Sequence, residues 1–181
     1  IENKRPVSQP TEEIKKQDEI KEKQDEIKEK QADQKISVAE ELANKNAAMA
    51  LLSDRDAIRN NVLNLIGNYP RDNMKNSVVM SVNGLIDKAI PQMWDKFSGA
   101  ADKAQKEDVL KTYETRIFKS VFNGALGLCS TSKPLSEKLA MAQKMTNFIM
   151  NTYSPVAFDS QYAKYGDSHY IQNTDLATIQ K

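Results

Sequence analysis

Apolar residues along this chain recur at two different periods, and the change of period divides it. From Ile14 to Ile36 the large apolar residues are isoleucines set among lysine, glutamate, aspartate and glutamine. The unit Ile-Lys-Glu-Lys-Gln starts at Ile20 and again, seven residues on, at Ile27. A seven-residue period keeps one seam of a helix turned toward one partner. With Ile20 and Ile27 at heptad position d, Gln17, Gln24 and Gln31 fall at a. Lys16, Lys23 and Lys30 then occupy g, and Lys21, Lys28 and Lys35 occupy e. The seam is thin, half apolar and half amide, and both its shoulders are basic, so parallel self-pairing would set lysine against lysine. The pairs Glu12 and Lys16, Glu19 and Lys23, and Glu26 and Lys30 stand in acid-before-base order four residues apart, each worth about 0.2 to 0.5 kcal/mol to a helix. Two expectations follow: a helix that docks against another with acidic shoulders, or a solvated helix held by these intrahelical pairs alone.

Beyond Ile36 the apolar residues follow the ordinary helical period. Val38, Leu42, Met49 and Leu52 sit in an alanine-rich stretch, and Ile58, Val62, Leu65 and Ile66 cover one face before Gly67, Asn68 and Pro70 stop the pattern. The spacing predicts one long helix from Ser37 to Ile66, although Ser53 followed by Asp56 resembles a capping arrangement. Asn73 is the expected cap of a helix carrying Val78, Val82, Ile86, Ile90, Met93 and Trp94. Pro91 should kink or split it near Asp87, because an interior proline loses a hydrogen bond and clashes with the preceding turn. A further helix is predicted from Ala101 to Leu128 and another from Pro134 to Ser154, where Pro155 ends it. From Val156 onward no sustained helical period remains, and Phe158, Tyr162, Tyr165 and Tyr170 lie among polar residues.

The predicted fold is therefore all-α: a bundle of about four or five helices, preceded by a charged, coiled-coil-like helical extension and closed by an irregular aromatic tail. The expected divisions are a tether over 1–13, a charged heptad helix over 14–35, a bundle over 36–155 and a tail packed on it over 156–181. Pro6 and Pro10 among polar residues mark the tether.

Composition narrows the function more than it names it. The chain has 181 residues, with 26 basic and 25 acidic side chains, so no global field draws it to nucleic acid or to an anionic membrane. Residues 11–35 carry seven lysines and nine acids, which makes the extension a polyampholyte and not a basic arm. No apolar run approaches the ~18 residues of a membrane span. Cys129 stands alone, so no intrachain disulfide forms, which suits a reducing compartment or an unstapled helical protein outside it. The start at Ile1, followed by tether, charged helix and domain, suggests a processed bacterial protein, anchored in the envelope or exported, with an anchor or signal once ahead of it.

Candidate chemistry is sparse. His169 is the single histidine, which rules out a two-histidine metal site within one chain, and no nucleotide, zinc-protease, serine-hydrolase or redox-cysteine motif is present. Asp54 and Asp56 around Arg55, and Glu107 with Asp108, are the nearest carboxylate pairs, and both suit helix starts. Lys111, Arg116 and Lys119 are separated by acids or by apolar face and form no basic cluster of the nucleic-acid type. No catalytic residue, metal or cofactor is expected. The expected function is a non-enzymatic interaction protein that contacts protein partners, or itself, along Gln17, Ile20, Gln24, Ile27 and Gln31. The alternative is a helical enzyme or small-ligand protein whose site combines Trp94, Tyr162, Tyr165, His169 and Tyr170 near the tail; convergence of these groups in one concave pocket would support it.

Overall fold

The computed structural model describes residues 5–127, 129 and 133–167, with side chains described for 15–24, 38–127, 129 and 133–163. The protein is all-helical, with no strand among the described residues. The chain divides into two compact units, Ile1–Leu42 and Ala43–Lys181.

Among the described residues the first unit is helix. It holds most of α1, Arg5–Leu52, whose lysine, glutamate, glutamine and alanine are strong helix formers. The helix takes in residues 5–13, assigned from the sequence to a tether. Pro6 lies in its first turn, where a missing N–H leaves no bond unmade. Every side chain from Lys15 to Gln24 is exposed, so this stretch buries no core of its own.

The second unit begins with the end of α1 and continues with α2, Arg55–Ile66; α3, Lys75–Gly99; α4, Lys103–Ser120; α5, Leu135–Tyr153; and the short α6, Pro155–Phe158. A 3-10 turn, Asp72–Met74, leads into α3, and another 3-10 stretch, Ser160–Asp167, follows α6. The helical faces expected from the sequence form its core. Ile58, Val62 and Ile66 are buried on α2, Val78, Val82, Ile86 and Ile90 on α3, Leu110 and Ile117 on α4, and Met145 and Ile149 on α5. Each fully buried side chain of this size contributes about 1.5 to 3 kcal/mol of transfer free energy.

Four boundaries differ from the expected ones. The helix predicted over Ser37–Ile66 is two helices, because the chain turns at Ser53: its N–H donates to the Ala50 carbonyl at 3.2 Å, and that of Asp54 to the Leu51 carbonyl at 3.2 Å. The cap of α2 is then Asp54, whose carboxylate accepts from the Ala57 N–H at 3.1 Å. Asn73 lies within the 3-10 turn and does not cap α3. Pro91 lies inside α3 without dividing it. Ile90, Met93, Trp94 and Phe97 are almost wholly buried around it, and that burial outweighs the lost hydrogen bond. Finally, α4 does not run to Leu128; at Val121–Ala125 it widens into a π-turn, closed by the Leu126 N–H on the Val121 carbonyl at 2.8 Å. Just beyond it, a Cβ on Gly127 would lie 2.1 Å from the Asn123 carbonyl oxygen, so only glycine fits there.

Candidate interaction face on the first helix

In the first unit, the exposed residues of α1 are sorted by charge around the helix. Ile20 is 57% exposed, with Gln17 and Gln24 exposed on either side of it. Lys16, Lys21 and Lys23 flank this strip, while Asp18, Glu19 and Glu22 occupy the outer positions b, c and f of the same heptads. Base therefore lines the seam, and the outer positions carry these three acids together with Lys15 at f. Ile27 and Gln31 lie on the α1 backbone, with side chains outside those described.

Two more exposed apolar residues share this side of α1 further along, where the heptad seam itself is interrupted by Glu41 at d. Val38 continues the a positions of Gln17, Gln24 and Gln31, and it lies eighteen residues beyond Ile20, which is five turns at about 3.6 residues per turn. Leu42, one turn later, shares that side of the helix. Val38 is 67% and Leu42 59% exposed. Helical spacing assigns both to the bundle; on α1 they are exposed, and the core takes Ala48 and Leu52 instead. Scattered exposed leucines mean little, but three large apolar side chains along one helical face mark a surface suited to contact.

The aromatic candidates are arranged differently. Trp94 is 1% and Tyr162 5% exposed, so both lie in the core and not on an open surface. The indole Nε1–H of Trp94 donates to the Tyr153 carbonyl at 2.8 Å. Its ring meets Phe97 and Phe158 edge-on at 6.2 and 6.0 Å, and Phe97 meets Tyr162 at 5.2 Å. Such edge-to-face contacts each add about 0.5 to 1.5 kcal/mol beyond area burial. Tyr165 lies in the Ser160–Asp167 stretch with its side chain outside those described, and His169 and Tyr170 fall outside the described residues. Trp94 and Tyr162 are thus joined through Phe97 into packed core, with Phe158 against the Trp94 ring.

The carboxylates near Arg55 are structural: Asp54 caps α2, and Arg55 pairs with Asp87 of α3. Among the described residues no group of three His, Cys, Asp or Glu is placed to hold a metal, and no helix is long and apolar enough to cross a membrane. Cys129 is buried; burial pushes its thiol above the usual range, against the lowering pull of Lys138 and Lys133. That is the opposite of what a reactive thiolate needs. Burial likewise raises the Tyr69 and Tyr153 hydroxyls, with Cys129 and Glu137 adding to the first and Asp54 to the second.

No protein-family model, curated protein or solved structure matches the chain. The functional assignment rests on its own geometry.

Proposed function

We propose that this is a non-enzymatic interaction protein, an adaptor or assembly component that docks an acidic-shouldered helix along α1. The carrying observation is that Ile20, Val38 and Leu42 are left exposed on one face of α1, with lysines on both shoulders of the heptad seam over residues 16–35. An unlike partner is favoured over a second copy. In a parallel pair, g faces e; in an antiparallel pair, g faces g and e faces e. Either way lysine meets lysine, and the like charges repel. Glutamates at e and g of another helix would turn that repulsion into attraction, faster association and a fixed register.

The test is titration of the full chain with a designed amphipathic helix of about four heptads, isoleucine at its seam and glutamate at e and g. The expected result is saturable binding that weakens as salt rises and is lost on Ile20→Asn with Val38→Asn. A matching helix with lysine at e and g should not bind. Equal binding of both helices, binding of neither, or light scattering that shows the chain pairing with itself through Ile20 would overturn the assignment to an unlike acidic partner.

A further inference from the structure

The short connection Ala100–Asp102 joins α3 to α4, a length that makes the two an antiparallel helical hairpin. Between them lies a cleft of about 370 Å³. From α3 it takes Leu85, Lys88, Ala89 and Gln92, spaced i, i+3, i+4 and i+7. From α4 it takes Tyr113, Arg116, Ile117 and Ser120 in the same spacing, together with Lys119. Each set is one face of a helix.

Floor and rim differ in kind. Ala89, Tyr113 and Ile117 are buried and Leu85 half-buried, which makes an apolar floor with one phenol. Lys88 and Arg116 are exposed and Lys119 half-buried, which makes a cationic rim with no carboxylate in the lining. Three cations of this unit meet acids, Lys45 with Asp95, Arg55 with Asp87 and Lys75 with Asp72, while others, such as Lys133 over Tyr69 and Lys138 over Phe122, rest on rings. Among the described residues none of the three rim cations has a carboxylate oxygen within 4.0 Å; the Arg116 guanidinium instead lies 5.1 Å from the centre of the Tyr113 ring. In a chain whose formal charge is only +1, the lining gathers three positive charges and no negative one over a small apolar floor.

We propose that this cleft binds a small organic anion. Its apolar or aromatic body seats on Ala89, Ile117 and Tyr113, and its carboxylate or phosphate is held by Lys88, Arg116 and Lys119. Arg116 offers the fork that grips such groups in two parallel bonds, and Gln92 and Ser120 supply further donors at the rim. Size selects a small molecule over a helix. The lining spans about two helical turns on each side, roughly 10 Å at 1.5 Å per residue, and the volume falls at the lower end of small-ligand sites, about 300 to 1,000 Å³. A docked helix, itself about 10 to 12 Å across, would need a groove longer than it is wide. Charge and body act together: the floor removes water from one side of the anion, which strengthens its bonds to the rim.

The experiment is a titration of the full isotope-labelled chain with 1-naphthyl phosphate and with 1-naphthoate, alongside inorganic phosphate and 1-naphthol, followed by backbone amide shifts. At least one naphthyl anion should bind saturably and shift amides across Leu85–Gln92 and Tyr113–Ser120, and which of them binds identifies the head group. Phosphate alone and naphthol alone should bind about tenfold more weakly or less, and the double variant Lys88→Gln, Arg116→Gln should weaken the anion by about tenfold or more. Both substituted residues are exposed, so an unchanged circular dichroism spectrum separates lost binding from lost fold. Equal binding of phosphate would reduce the cleft to a patch of charge, and equal binding of naphthol to a patch of oil; either result overturns the proposal. So does the absence of saturation by both naphthyl anions up to about 5 mM, a weak limit for a site of this size, or displacement of the naphthyl anion by a glutamate-rich helix that shifts the same amides more strongly.

Discussion

Tyr69, Cys129 and Tyr153 bury groups that are neutral only while they hold a proton, and burial raises all three above their ordinary values. The folded chain keeps these protons at a pH where the unfolded chain has lost them, so folding stability falls as pH rises through that interval. Below the ordinary thiol and phenol values, about 8.5 and 10, the contribution is complete. The denaturant midpoint of the full chain should therefore hold steady near neutrality and drop progressively as pH rises past the ordinary thiol and then phenol values, about 8.5 and 10, with thiol alkylation slow until it does. A midpoint that rises over this interval would contradict the assignment. At this scale the sequence was informative wherever a side chain's fate depends on its own helix. Ile58, Val62 and Ile66 are buried as their spacing requires, and a lone cysteine is buried as small apolar residues usually are. Val38 and Leu42 were not legible by the same rule, because helical spacing says which residues share a face and not whether anything covers it.

Among the elements, the turn at Ser53 shows how a local competition decides a boundary. Periodicity alone favours one helix through this point, but Ser53 and Asp54 fold their N–H groups back onto Ala50 and Leu51, and the Asp54 carboxylate starts α2 afresh. Replacing Asp54 by alanine should cost about 0.5 to 2 kcal/mol, the usual range for a lost N-cap, measured as a shift in denaturant midpoint. It should also let Tyr153 ionise at lower pH, since the Asp54 charge helps to hold that hydroxyl up. Loss of stability without the tyrosine shift would leave the cap but remove the electrostatic link. The cleft illustrates the other limit. The faces bearing Lys88 and Arg116 can be read from each helix, but Arg116 and Lys119 read along the chain as separated charges, and nothing there brings Lys88 to them. That juxtaposition belongs to the α3–α4 hairpin.

For the molecule as a whole, the two units draw on different sources of stability. Lys15–Gln24 is exposed throughout and depends on helix propensity, which leaves isolated helices marginal. The second unit rests on buried side chains from α2 to α6. Unfolding followed by far-ultraviolet circular dichroism should therefore begin at lower denaturant than loss of the native tertiary signal, and coincident curves would show that α1 shares the cooperativity of the core. Trp94 makes that comparison available without a label. It is the chain's single tryptophan, wholly enclosed, with its indole N–H on the backbone carbonyl that ends α5. Its emission wavelength is accordingly a private gauge of one unit: blue while the turn between α5 and α6 is closed over it, red when water reaches the ring, and silent about the helix that carries the seam.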